Sequence, residues 1–104
     1  DAVATAIKRE MYRDRSPKKF VLYENFPNPF NGTTTIRFAL ATSARVKLSI
    51  YNVLGQQVAT LINGKMNSGV HAVQWNASLH AGGVYFFRLE TDGFSDVKKL
   101  TVVK

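Results

Sequence analysis

Thr33-Thr34-Thr35-Ile36-Arg37-Phe38-Ala39-Leu40 is the stretch whose reading decides the fold. Thr34, Ile36, Phe38 and Leu40 alternate with Thr35, Arg37 and Ala39, the two-residue period of a strand that buries one face. A few residues on, Val46, Leu48 and Ile50 alternate with Arg45, Lys47 and Ser49 in the same way. Segments 20–23, 56–62, 70–75, 84–90 and 94–103 are further strand candidates. Between them stand turn formers: Leu54-Gly55, Asn63-Gly64, Ser68-Gly69, Gly82-Gly83 and Asp92-Gly93. Asp92-Gly93 is the strongest hairpin signal, and a tight turn there calls for positive φ. About seven short strands with frequent turns predict an all-β chain folded as an antiparallel β-sandwich.

Strand phase then sorts the core. Tyr85, Phe87 and Leu89 share one face and are expected inside, which leaves Val84, Phe86 and Arg88 outside, with Phe86 an exposed aromatic. In the last strand Val97 and Leu100 fall on opposite faces, and a bulge near Lys98-Lys99 would bring them together. Pro27-Asn28-Pro29 fixes an extended or turning path, and Phe26 and Phe30 beside it are expected to plug the base of the core.

The chain has 104 residues, enough for one small domain with one core. Hydrophobic residues make up 45% and aromatics 12%, a composition that suits a packed unit. With no cysteine, neither a disulfide nor thiol chemistry is available. No apolar run is long enough to span a bilayer, so no stable membrane insertion is expected. The first residue is Asp1 and no signal peptide is visible, as expected for a piece of a longer polypeptide. Residues 1–22 are read as a linker or the tail of a preceding domain, with a helix-tolerant stretch from Asp1 to Arg15 broken at Ser16-Pro17. Residues 23–104 are read as the domain.

The formal net charge of +7 is shared between the two parts, +3 on residues 1–22 and +4 on the remainder. A positive surface can attract nucleic acid, anionic lipid or an acidic partner. Here the basic residues are dispersed, with no stripe interleaved with aromatics, so no nucleic-acid partner is expected.

No residue set carries recognisable catalytic chemistry. His71 and His80 lack a third ligand at metal spacing. Asp92 and Asp96 fall short of the donor count of a calcium loop and are read as a turn former and a strand-edge charge. Trp75 could be a sugar-stacking platform, but a core tryptophan is the commoner outcome in a small sandwich. Asn31-Gly32-Thr33 and Asn76-Ala77-Ser78 match the glycosylation sequon, a weak signal. No cofactor, no metal and no enzymatic activity are expected.

Five phrases in order make the chain specific. They are Asn25-Phe26-Pro27-Asn28-Pro29-Phe30 before a Thr-rich strand; Ile50 to Val58 with Asn52 and Gly55; Gly69, His71 and Trp75; Gly83-Val84-Tyr85 running to Arg88-Leu89; and Lys98-Lys99 followed by Leu100, Val102 and Lys104. Together they resemble the type A C-terminal sorting domain of the type IX secretion system of Gram-negative bacteria, over residues 25–104. Asn52 stands where that pattern usually has Asp. The resemblance is also to the related Ig-like domain of flagellar hook-capping proteins, and it implies an Ig-like sandwich.

It further implies an N-terminal cargo, transit through the periplasm, recognition by the secretion translocon at the outer membrane, and cleavage by a surface sortase near residues 10–25. The cargo would end at the cell surface or be secreted. Lys98, Lys99, Leu100, Val102 and Lys104, with Phe86 and Arg88, are the expected recognition residues, the lysines exposed along a strand edge. Pro27, Asn28, Pro29, Phe30, Gly55, Trp75, Gly83 and Tyr85 are expected to be structural. Exposed edge strands would allow a homodimer. The rival expectations are a structural or assembly Ig-like module and an accessory carbohydrate-binding module, the latter needing Trp75 or Phe86 open in a groove.

Overall fold

The computed structural model describes residues 17–104. The expected helix-tolerant stretch from Asp1 to Arg15 and the first part of the expected cleavage region lie outside them. Seven strands follow in order: β1 (Val21–Leu22), β2 (Thr33–Leu40), β3 (Ala44–Tyr51), β4 (Gln57–Met66), β5 (Gly69–Asn76), β6 (Gly83–Thr91) and β7 (Phe94–Val102). They form two antiparallel sheets, one in the order β1-β2-β5 and the other β4-β3-β6-β7. This is the expected all-β, Ig-like sandwich.

Alternation places the core. Ile36, Phe38 and Leu40 of β2 face Leu48 and Ile50 of β3 and Phe87 and Leu89 of β6, all buried between the sheets. Burying such side chains is worth about 1.5–3 kcal/mol each, which is how a chain without disulfides holds two small sheets together. The packed unit takes in the residues just before residue 23: Leu22 is buried, and the Phe20 ring stacks on Phe94 of β7 at 5.9 Å.

Four local expectations are corrected. First, β7 pairs with β6 without a register shift, so no bulge lies at Lys98-Lys99. Leu100 and Val102 point into the core and Val97 simply faces out, half exposed. Second, Asn63-Gly64 is no turn. β4 runs through it to Met66, with Asn63 opposite Lys47 and Gly64 opposite Val46. The irregularities sit earlier, where register shifts opposite Leu48/Ser49 and Ile50/Tyr51 each put an extra β4 residue, Leu61 and Val58, into the ladder. Third, the Asp92-Gly93 hairpin closes with Thr91 opposite Phe94, but neither turn residue takes positive φ. The turn is therefore not of the mirror-image type. Fourth, Phe30 is buried but Phe26 is 78% exposed. Phe26 exchanges both backbone hydrogen bonds with Thr35, at 3.0 and 2.9 Å. Opposed residues share a face, and Thr35 is on the outer face of β2, so Phe26 is held outside the core.

Candidate functional site

Strand β7 is where recognition is expected from the resemblance, and its surroundings decide which of its residues a partner could reach. Leu100 and Val102 are core residues. The expectation of an exposed Lys98 is corrected. Lys98 is on the inward side of β7, partly covered, with Nζ 3.4 Å from a carboxylate oxygen of Glu24. Lys104 donates from Nζ to the carbonyls of Ala77 and Ser78, each at 3.1 Å, and so bridges the β5–β6 connection. A Cβ on Gly82 would come within 3.0 Å of Lys104 Cγ, so the missing side chain there makes room for the lysine stem. Lys99 alone of the three lysines faces solvent with no partner recorded among the described residues.

Nor is the β7 edge a free charged edge over its second half. The segment from Asn25 to Phe30 crosses to it. Thr101 donates its N–H to Asn28 Oδ1 at 3.0 Å, and Asn28 Nδ2 donates more weakly to the Lys99 carbonyl at 3.5 Å. The Asn28 amide thus serves as a peptide group added to the ladder. Phe30 continues the pairing: its N–H donates to Thr101 O at 3.0 Å, and Val103 N–H donates to Phe30 O at 2.8 Å. The start of the strap is tied by the Pro27 carbonyl, which accepts from Thr34 Oγ1 at 2.8 Å and Asn25 Nδ2 at 3.2 Å. Its prolines and Phe30 thus fix the path that brings Asn28 to the edge.

Beneath the strap lies an aromatic cluster. Trp75 is 4% exposed, with Phe30 at 6.1 Å, His80 at 5.3 Å and Tyr85 at 5.5 Å between ring centroids. Tyr85 keeps its hydroxyl satisfied by donating to Ala81 O at 2.7 Å. Trp75 is therefore a core residue and offers no platform to a sugar. His71 stacks on Phe38 at 5.4 Å and meets the Asn67 carbonyl through Nε2 at 2.8 Å. Both histidines are thus packing groups on the aromatic core. Gly83 opens β6 at φ +140°, a conformation side chains disfavour.

Phe86 and Arg88 lie on the outer face of the four-stranded sheet with Lys99. Phe86 is half-buried rather than exposed, because Tyr51 of β3 and Lys99 of β7 flank it in register. Arg88 is opposite Ser49 on one side and Val97 on the other. It donates its Nε–H to Ser95 Oγ at 3.1 Å, with a Glu90 carboxylate oxygen 3.6 Å away. A shallow groove of about 360 Å³ runs here, lined by Tyr51, Asn52, Val53, Gly55, Phe86, Arg88 and Val97. Of the seven expected recognition residues, the structure brings three together on this face. Tyr51, Val53 and Val97 are neighbours that the sequence reading did not single out. Two aliphatic residues directly before the turn glycine, Val53-Leu54, were the available signal.

Comparison with known proteins bears on what this surface is for. The model of the secretion system C-terminal sorting domain family matches residues 24–103. No curated protein sequence matches the chain. A solved chain from the structural and functional probing of PorZ, described as an essential bacterial surface component of the type IX secretion system of Porphyromonas gingivalis, shares the fold. Its TM-score is 0.56 and its identity 21%, over 80% of this chain and 11% of that one, so the present chain spans about a tenth of that protein's length. The family match takes in β2 to β7 and the strap that seals β7. The chain accordingly belongs to the secretion system C-terminal sorting domain family.

Proposed function

We propose that residues 23–104 act as a C-terminal sorting signal for type IX secretion, with residues 1–22 joining them to an N-terminal cargo. The observation that carries this reading is the family match over residues 24–103, nearly the whole described sandwich. Membership points to a non-catalytic role and to export of the attached protein to the cell surface or beyond. In finer detail, the folded domain is met in the periplasm by the outer-membrane translocon, and a surface sortase cuts in the linker. Lys99, Arg88 and Phe86 support recognition from the outer face of the β4-β3-β6-β7 sheet, while Lys98 and Lys104 contribute through the fold they hold.

A reporter fusion tests this. Residues 1–104 are placed behind a signal peptide and a fluorescent protein, in a host with the type IX machinery and in a matched strain lacking the translocon. Fluorescence reaching the surface or medium only in the intact host is expected. Folded reporter retained in the periplasm of both strains would refute the sorting role. Within this assay Lys99→Glu is expected to reduce export without unfolding the domain, because the Lys99 side chain makes no hydrogen bond or ion pair among the described residues that its loss would break. Lys98→Glu also removes the Glu24 pair, a surface interaction worth no more than about 1 kcal/mol.

A further inference from the structure

Three stretches far apart in the chain converge on the outer face of the four-stranded sheet: the end of β3 with its following turn, the middle of β6, and the middle of β7. The turn is held rigidly. Asn52 Oδ1 accepts from the N–H groups of Leu54 and Gln56, each at 3.0 Å. Asn52 N–H donates to Gln56 O at 2.9 Å, and Gly55 N–H donates to Asn52 O at 3.0 Å with Gly55 at φ +80°. This ordered turn holds Val53 and Leu54 67% and 79% exposed. Neither contributes to the core, and polar residues would serve the turn as well. Val97 and Val84 extend the apolar surface on either side of Phe86.

The charge around this apolar centre is predominantly positive. Arg88 and Lys99 border it, and Lys47, Arg45 and Lys65 continue the outer face. Glu90 is the acidic strand residue among them, and it is engaged with Arg88. The outer face of the β1-β2-β5 sheet, by contrast, has Arg37 as its charged strand residue among the described residues, lying over the Tyr23 ring at 5.7 Å.

From this we infer that the face formed by Tyr51, Val53, Phe86, Arg88, Val97 and Lys99 docks an acidic protein segment. An apolar side chain of the partner enters the groove while its carboxylates pair with Arg88 and Lys99. An apolar centre with an arginine at its rim is the composition of a protein interface, and the guanidinium fork matches a carboxylate. A glycan fits less well. Val53, Leu54 and Val97 give its hydroxyls no hydrogen bonds, and the half-buried Phe86 ring is no open stacking platform. The inference rests on the sorting reading for the partner's biological identity, but not for the chemistry of the surface.

Two measurements separate the two claims. In the first, isotopically labelled chain 1–104 is titrated with a synthetic peptide of phenylalanine and leucine interspersed with glutamate, with its lysine counterpart, and with an oligogalacturonate. Amide shifts confined to residues 51–55, 86–88 and 97–99 are expected with the acidic peptide alone. Its affinity should fall at least tenfold in Arg88→Glu, at least tenfold in Val53→Ser, and steeply with added salt. Val53 lines the groove and is exposed in the turn, so the second variant tests the surface without disturbing the core. Equal binding of the basic peptide or of the oligosaccharide, or no shifts on this face, overturns the proposal. In the second, the reporter fusion is compared with its Val53→Ser/Leu54→Ser form. Normal export of both defeats the docking surface while leaving the sorting role intact. A wild-type fusion that is not exported defeats the sorting role, while the titration still decides the surface.

Discussion

Ser49 shows how a single side chain can be dictated by its neighbours' packing. It is on the outer face of β3, yet it is fully buried, and its Oγ has no hydrogen-bond partner. An unpaired buried hydroxyl costs stability rather than adding it. Ser49→Ala should therefore leave the melting temperature unchanged or raise it, as calorimetry on the chain would show; a clear fall would mean that the hydroxyl is paired. Lys104 is the opposite case, a charge at the end of the chain that serves the fold. Lys104→Met keeps most of the stem and removes both bonds to the Ala77 and Ser78 carbonyls. A loss of about 1–2 kcal/mol is expected, a drop of roughly 4–16 °C for a domain of this size. Gly82→Ala should lose less in a Lys104→Ala background than in the wild type if the lysine stem is what the new methyl group displaces. Equal losses would refute that coupling.

At the scale of elements, the strap from Asn25 to Phe30 completes β7. Asn28→Ala should cost about 1–2 kcal/mol and speed hydrogen exchange at the Thr101 amide, with Val103 following as the strap loosens. Asn28→Asp keeps the acceptor for Thr101 and should lie between the two. Unaltered exchange at Thr101 in the alanine variant would show that the edge is sealed by other means. The strands themselves were legible because period-two alternation is a property of consecutive residues: Ile36, Phe38, Leu40 and Tyr85, Phe87, Leu89 are buried as their spacing predicts. What depends on a partner strand was not. The side of the sheet on which Phe26 lies follows from its pairing with Thr35, and the continuation of β4 through Asn63-Gly64 follows from Lys47 and Val46 opposite it. The residues expected to serve recognition divided in the same way. Phe86, Arg88 and Lys99 share a face that strand phase and register define, whereas the engagement of Lys98 by Glu24 and of Lys104 by a distant turn depends on loops whose paths local pattern does not encode.

The molecule as a whole relies on one core with no covalent staple. Phe87 is fully buried at its centre, and Phe87→Ala should cost about 3–5 kcal/mol. That is much of the roughly 5–15 kcal/mol available to a small domain, so near-ultraviolet dichroism should collapse well below the wild-type transition; a melt within a few degrees of wild type would contradict a single shared core. The contact that seals this core has a consequence in time. Asn28 and Thr101 are 73 positions apart, and their bond closes a loop that contains β2 through β6. Such distant pairings make folding slow compared with that of chains built from local contacts. On the ribosome the Asn28–Phe30 end of the strap must wait for its partners until β7 has emerged, although its start can already pair with β2, so any domain preceding this one in the same polypeptide has the whole of that interval in which to fold first.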